Sequence, residues 1–176
     1  MPHSIRTERL LIRPVTLRDA KEYWLTHNHP DFARMTGSWA YPFTQGEVCR
    51  RIREAMLAGE GEKQWLAFIE GTRLVGTGVL FDWQPGSVEI GYDVSRGCEG
   101  RGLASEGART LCQLAFGQYR VGVIRARVSV DNPASARILG KLGFEQIGPA
   151  EMGWSAHYGR HTPLYHYRLI RERFRP

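Results

Sequence analysis

Alternation and helical spacing divide the chain into short segments. Residues 87–94 (SVEIGYDV) alternate, with Val88, Ile90, Tyr92 and Val94 on one face and Glu89, Gly91 and Asp93 on the other. Residues 123–130 (VIRARVSV) alternate as a second half-buried strand. Residues 64–70 (QWLAFIE) and 73–81 (RLVGTGVLF) flank Gly71-Thr72 and predict a hairpin. Residues 9–14 (RLLIRP) form a short apolar strand that Pro14 stops. Residues 144–147 and 164–170 (LYHYRLI) supply the last strands. Thr16 starts a helix, with Asp19 as a weaker capping-box partner than Glu, and that helix ends near His29-Pro30. Thr44 caps the next, Glu47 completes its box and Gly59 stops it. Leu103, Gly107, Leu111, Leu114 and Ala115 keep helical spacing to Phe116. Asn132-Pro133 opens a helix through Ala136, Ile138, Leu139 and Leu142, and Gly143 ends it. Residues 37–43 (GSWAYPF), between the first two helices, are aromatic and irregular. The order β-α-α-β-β-β-α-β-α-β-β predicts an α/β fold, a mixed sheet with helices on its faces. With no repeat, low-complexity stretch or linker, one domain over 1–176 is expected.

Composition narrows the class. The chain has 176 residues, 42% hydrophobic and 24% charged, which suits a globular protein with a real core. Disordered, collagen-like and coiled-coil readings are excluded. No run of about 18 apolar residues is present, so no membrane-spanning helix is expected. The opening Met1-Pro2-His3-Ser4-Ile5-Arg6 has no apolar stretch before a small-residue cleavage site, which leaves secretion unsupported. Cys49, Cys98 and Cys112 are odd in number and lack Cys-x-x-Cys spacing. A disulfide framework or cysteine-built zinc site is not expected, and a reducing cytoplasm fits best. The net charge is +6, from 24 Lys and Arg against 18 Asp and Glu. Arg168, Arg171, Arg173 and Arg175 crowd the C-terminal end. Such a balance suits a phosphorylated cofactor, an acidic protein or RNA, or else only a solvated face.

The strongest chemical feature is a strand (87–94), a Gly-rich turn (96–102, RGCEGRG) and a helix from Leu103. A helix N-terminus exposes unpaired N–H groups and a partial positive charge. Gly100 and Gly102 let phosphate oxygens approach that backbone, which makes a pyrophosphate cradle. The glycines could equally serve only a tight turn. Leu103-Ala104 stand where a P-loop would have its Lys-Ser/Thr ending. The preceding strands read as an antiparallel meander, which does not fit a Rossmann unit.

A second segment, Asn132-Pro133-Ala134-Ser135 through Lys141-Leu142-Gly143-Phe144, adds to the first. Glu99-Gly100-Arg101-Gly102-Leu103-Ala104 resembles the Gln/Arg-x-x-Gly-x-Gly/Ala acetyl-CoA motif of the GNAT N-acetyltransferases. The Asn-x-x-Ser start and Lys-Leu-Gly-Phe ending resemble the second half of that family's core. Thr7-Glu8-Arg9-Leu10-Leu11-Ile12-Arg13-Pro14 and Glu89-Ile90-Gly91-Tyr92 resemble its RimJ/RimL branch of ribosomal-protein N-terminal acetyltransferases. The resemblance spans about residues 7–170. It implies a mostly antiparallel central sheet with two splayed strands, and acetyl transfer from acetyl-CoA to an amine. It implies that Tyr92, Asp93 and Val94 offer backbone groups to the pantetheine arm and thioester, and that Asn132 contacts the cofactor at the splay. Glu99 departs from the motif. A carboxylate beside a pyrophosphate is unfavourable, so Glu99 is expected to face solvent, offset by Arg101 or Arg96.

The chemistry requires a neutral amine, a donor to the thioester oxygen and a proton for the leaving thiolate. Glu89 is the candidate base; the alternative is a structural carboxylate paired with an Arg. Ser135 is the candidate proton source; the alternative is a helix cap beside Asn132. Trp39, Tyr41 and Phe43 are candidate acceptor-pocket residues, or else core. Opposite them, the stretch 153–161 with Trp154 and Tyr158 is expected to wall the acceptor side. His27 and His29 are open to a part in substrate binding. His157, His161 and His166 fit no helix face, and no metal is expected. Cys98 is read as exposed in its turn. The function so implied is N-acetylation of a primary amine, a protein N-terminus or a small amine such as an amino acid, polyamine or antibiotic. The alternatives are a non-catalytic acyl-CoA-binding module and a basic RNA-associated domain. Neither a membrane nor a nucleic-acid partner is expected of this monomer or homodimer.

Overall fold

The computed structural model describes residues 4–59 and 61–175. Residues 1–3, which entered the expectation about secretion, lie outside them. Among the described residues the α and β elements run β1 (Ile5–Arg6), β2 (Leu11–Pro14), α1 (Ala20–His27), α2 (Pro30–Met35), α3 (Gln45–Leu57), β3 (Gln64–Glu70), β4 (Arg73–Gln84), β5 (Ser87–Val94), α4 (Leu103–Gly117), β6 (Val123–Ser129), α5 (Pro133–Leu142), β7 (Glu145–Ser155) and β8 (Arg160–Ile170). The strands form one sheet in the order β1-β2-β3-β4-β5-β6-β8-β7. Neighbours pair antiparallel except β5 with β6, which are parallel. This is the mixed α/β sheet that the pattern predicts, mostly antiparallel as the resemblance implies.

The sheet is covered on both faces, and β3 shows how. Leu66 and Phe68 join a core with α4 and α5 residues such as Leu111 and Leu139. Trp65, Ala67 and Ile69 point the other way, into a second core with Tyr23, Phe32, Val48 and Ile52 of α1 to α3. A strand buried on both faces reads as a nearly continuous apolar run, as QWLAFIE does. Phe68 is lodged between two glycines. A Cβ at Gly107 would stand 2.3 Å from its ring, and one at Gly78 would stand 2.6 Å from it.

Local chemistry sets most boundaries. The weaker capping pair is the one that closes: Asp19 accepts the Thr16 N–H at 2.7 Å, and Arg13 holds its other oxygen. At α3, Thr44 Oγ1 accepts the Glu47 N–H, but the Glu47 carboxylate turns to Arg51 at 3.0 Å. Gly143 ends α5 at φ +97°. Four elements exceed the expectation. His29-Pro30 stops α1 and also starts α2, with Pro30 in the first turn and the His29 ring accepting the Phe32 N–H. β4 continues to Gln84. β7 and β8 are 11 residues each, and the expected loop at 153–161 is mostly strand. β7 is an edge strand, exposed over 146–152, and carries Pro149 where a ladder N–H is dispensable. The C-terminal arginines are largely spent on structure. Arg173 pairs with Glu145, and Arg171 donates to the Phe116 carbonyl. Among the described residues no helix is long and apolar enough to cross a membrane.

Candidate active site

The parallel pairing of β5 and β6 covers only Ser87, Val88 and Glu89 against Val123, Ile124 and Arg125. Beyond Glu89 the strands part. On its other side β5 stays paired with β4 through Val94. From Ile90 onward, β5 therefore presents backbone amides and carbonyls on the open side. A cavity of about 420 Å³ lies at this opening, within the size range of ligand pockets. It is lined by Ile90, Gly91, Tyr92 and Asp93 of β5, by Ala126 to Ser129 of β6, and by Asn132, Ser135 and Leu139 of α5. It continues toward Trp39, Trp65 and Trp154 on the other side of the sheet.

The Gly-rich turn stands at the end of β5 and leads into α4. Gly97, Gly100 and Gly102 have φ of +82°, +73° and +81°, a region that favours glycine. A Cβ at Gly100 would meet nothing, and one at Gly102 would meet only the Arg9 guanidinium, 3.3 Å away. The first bond of α4 runs from the Glu106 N–H to the Gly102 carbonyl. The amides of Leu103, Ala104 and Ser105 precede it and are free to meet an anion. The Leu103 side chain is buried in the core and anchors the helix start. The turn thus fits a pyrophosphate through its backbone. Its acidic residue, Glu99, is exposed to solvent as expected, but the partners differ from the expectation. Glu99 folds back and accepts the Gly97 N–H at 2.7 Å. Arg101 does not offset it, because its guanidinium is bonded to both oxygens of Glu70. Instead Arg9 reaches the turn, donating to the Arg101 carbonyl and to Glu106. Cys98 is buried at 4% exposure, which overturns its reading as an exposed thiol.

A family profile for the acetyltransferase (GNAT) domain matches residues 9–145, most of the chain and all of this site except the β7–β8 wall. The chain belongs to the GNAT acetyltransferase family. It is 27% identical to the uncharacterised N-acetyltransferase p20 of Bacillus licheniformis, over 97% of this chain and 98% of that one. The fold matches a GNAT acetyltransferase from Bacillus anthracis with a TM-score of 0.82 at 23% identity, covering 97% and 99% of the two chains. It also matches RimL, a ribosomal-protein α-N-acetyltransferase in complex with coenzyme A, with a TM-score of 0.82 at 16% identity and 96% and 98% coverage. This GNAT protein is thus an acetyl-CoA-dependent N-acetyltransferase, and the cradle and the splay are where its residues suit the cosubstrate.

The expected catalytic residues face the cavity with definite partners. Glu89 is buried at 4% exposure and lines it. Arg127 Nε donates to Glu89 Oε1 at 2.8 Å, and Arg125 Nη1 lies 3.9 Å from Oε2. Asn132 is the cap of α5, accepting the Ser135 N–H at 3.1 Å. The Ser135 side chain is not the cap. Its Oγ is 2.9 Å from the Tyr92 hydroxyl. Burial raises the Tyr92 hydroxyl above its ordinary range, so it stays protonated at neutral pH. The Asp93 carboxylate is taken by three donors from behind: the Thr77 N–H, the Thr77 hydroxyl and His27 Nε2, at 2.8 to 2.9 Å.

Acceptor-side placement divides the aromatic candidates. Trp39 lines the cavity. Phe43 packs against it 4.3 Å away but is core, and Tyr41 is exposed outside the wall. Trp154 lines the cavity and Tyr158 does not. The Ala156 N–H donates to the Gly37 carbonyl at 3.1 Å, tying the hairpin to the loop before Trp39. His27 is fully buried, stacked on Tyr23, and His29 is a cap, so neither reaches an acceptor. His157, His161 and His166 lie apart along the hairpin, against Tyr158, Trp154 and Glu151. Sequence reasoning missed Arg127, Thr77 and Lys63, which line the cavity. The alternation of β6 could have placed Arg127; nothing local marks Lys63.

Proposed function

We propose that this acetyltransferase acetylates the α-amine of a peptide or protein N-terminus, by direct attack of that amine on the thioester, in a reducing cytoplasm. The observation that supports it is the continuous cavity, from the open edge of β5 to the Trp39 and Trp154 wall. A cosubstrate entering at the splay leaves its acyl end facing that wall. Two aromatic rings there supply apolar contact for an extended chain. The likeness to RimL supports a peptide acceptor by analogy of fold.

In this mechanism the amine nitrogen forms its bond to the acyl carbon as the carbon–sulfur bond breaks. Glu89 takes the amine proton, directly or through one water: it lines the cavity, and while Arg127 holds one of its oxygens, the other has Arg125 only at 3.9 Å. Asp93 is the poorer candidate, since three donors already occupy it. The Tyr92 hydroxyl lies within reach of both Ser135 Oγ and the Ser135 carbonyl; in this mechanism it donates to Oγ, which leaves the Ser135 proton for the departing thiolate. The first-turn amides of α4 hold the pyrophosphate.

An acceptor screen tests the reading. Acetyl-CoA is offered with peptides of varied N-termini, amino acids and polyamines, and coenzyme A release is followed. Peptides are expected to give the highest kcat/KM. A polyamine at least tenfold above every peptide and monoamine would overturn it.

A further inference from the structure

The acceptor end of the cavity carries charge that the transfer chemistry does not use. Lys63, just before β3, lines the cavity together with Trp39, Trp65 and Trp154. Among the described residues the carboxylates around it have partners of their own. Glu54 pairs with Arg50 at 2.5 Å and Glu47 with Arg51 at 3.0 Å. Glu62 accepts the Gly59 N–H at 2.9 Å. In the cavity itself, Glu89 is held by Arg127, and Asp93 by Thr77 and His27. Among the described residues no carboxylate forms an ion pair with Lys63: the Trp65 ring lies 5.5 Å from its ammonium, and Glu54 acts on it only at longer range. A second cation stands nearby. The Arg51 guanidinium stacks over Trp39 at 3.8 Å, and its Nε is a buried donor without an acceptor. Lys63 is exposed as a whole, yet crowding by its surroundings, and then repulsion from Arg51, partly offset by Glu54, lower the pKa of its ammonium. A cation in such a place is relieved by an anion brought to it.

We infer that Lys63, with Arg51 beside it, binds a carboxylate that the acceptor carries close to its amine. The inference rests on the amine-acetylating reading above and sharpens it to acidic acceptors. Lys63 and the β5 residues line one cavity of about 420 Å³, so amine and carboxylate must belong to one small region of the acceptor. Two sources carry that chemistry: an acidic side chain beside a peptide N-terminus, or the carboxylate of a free amino acid. The same cations repel a polyamine.

Matched pairs separate the sources. One pair is a hexapeptide with Glu or Gln at its second position; the other is alanine or alaninamide. In the wild type, the acid member of one pair should show a kcat/KM at least tenfold above its neutral partner. That pair identifies the source. The ratio should shrink as salt is raised. K63M should bring the ratio to within twofold of one, and K63R should restore most of it; K63Q serves in place of K63M should that variant not fold. The same pairs are titrated by calorimetry onto protein with saturating coenzyme A, which reads binding without transfer. If no amine is acetylated, the activity reading fails, and the calorimetric ratio still decides the carboxylate site. Equal binding of acid and neutral members, no binding of either, or a preference that survives K63M would each overturn the inference.

Discussion

Glu89 and Arg127 make the clearest case at the scale of single residues. The alternation of residues 87–94 put Glu89 opposite Val88 and Ile90, and the structure places it on the cavity wall. The alternation of β6 gives the face of Arg127, but its pairing with Glu89 was not legible, because Arg127 lies 38 residues on and reaches it only through the β5–β6 pairing. Glu89→Gln keeps the shape and removes the proton acceptor. Arg127 is 44% exposed, so water can replace the lost ion pair and the fold should survive. We expect kcat to fall about 10²-fold or more, with little change in the KM for acetyl-CoA and loss of the low-pH limb of the rate profile. Full kcat at every pH would make water the base. Ser135 shows the opposite limit of sequence reading. Helix-start chemistry allowed it to be cap or acid, and only the approach of Tyr92 from another element separates its hydroxyl from capping.

At the scale of elements, the interior was the legible part. β5, α4 and α5 announce themselves because each buries a face with regular spacing, and β3 because it is buried on both faces and reads as an apolar run. The elements that were missed lack that contrast. α2 follows a proline that reads as a stop yet serves as a first-turn residue. β7 is an exposed edge strand interrupted by Gly148, Pro149 and Gly153, so no alternation marks it. The fit of α4 against β3 gives a prediction of unusual sign. Gly→Ala inside a helix ordinarily stabilises by about 0.5–1 kcal/mol. Gly107→Ala would instead drive a Cβ to 2.3 Å from the Phe68 ring, which Gly78 closes from the other side. Overpacking costs about 1–3 kcal/mol, so Tm should drop by a few degrees. A higher Tm in a thermal melt would show that the ring has room to move.

At the scale of the molecule, two carboxylates hold the N-terminal segment to the helices. Burial works against the charge on Asp19, and the Arg13 and Thr16 hydrogen bonds outweigh it, so its pKa is lowered. Burial likewise opposes Glu106, and Thr7 and Arg9 outweigh it. Both groups bind fewer protons folded than unfolded. The stability they contribute is present above the ordinary carboxylate range and is lost as pH falls through the folded values. Denaturant unfolding should therefore show a falling free energy below about pH 5, with a shallower slope in D19N and in E106Q. Slopes equal to wild type in both variants would show that other groups govern acid sensitivity.

Toward Trp39 and Trp154 the cavity rim is tied by a main-chain hydrogen bond, from Ala156 to Gly37, between stretches far apart in sequence. Neither residue lends a side chain to it. A Cβ at position 37 would meet the Trp154 carbonyl at 3.4 Å, an ordinary contact. The rim thus survives many spellings of both segments, provided position 156 keeps its N–H. Evolution can then redraw the outline an incoming amine must fit, one side chain at a time, while the path of the backbone that shapes the entrance stays as it is.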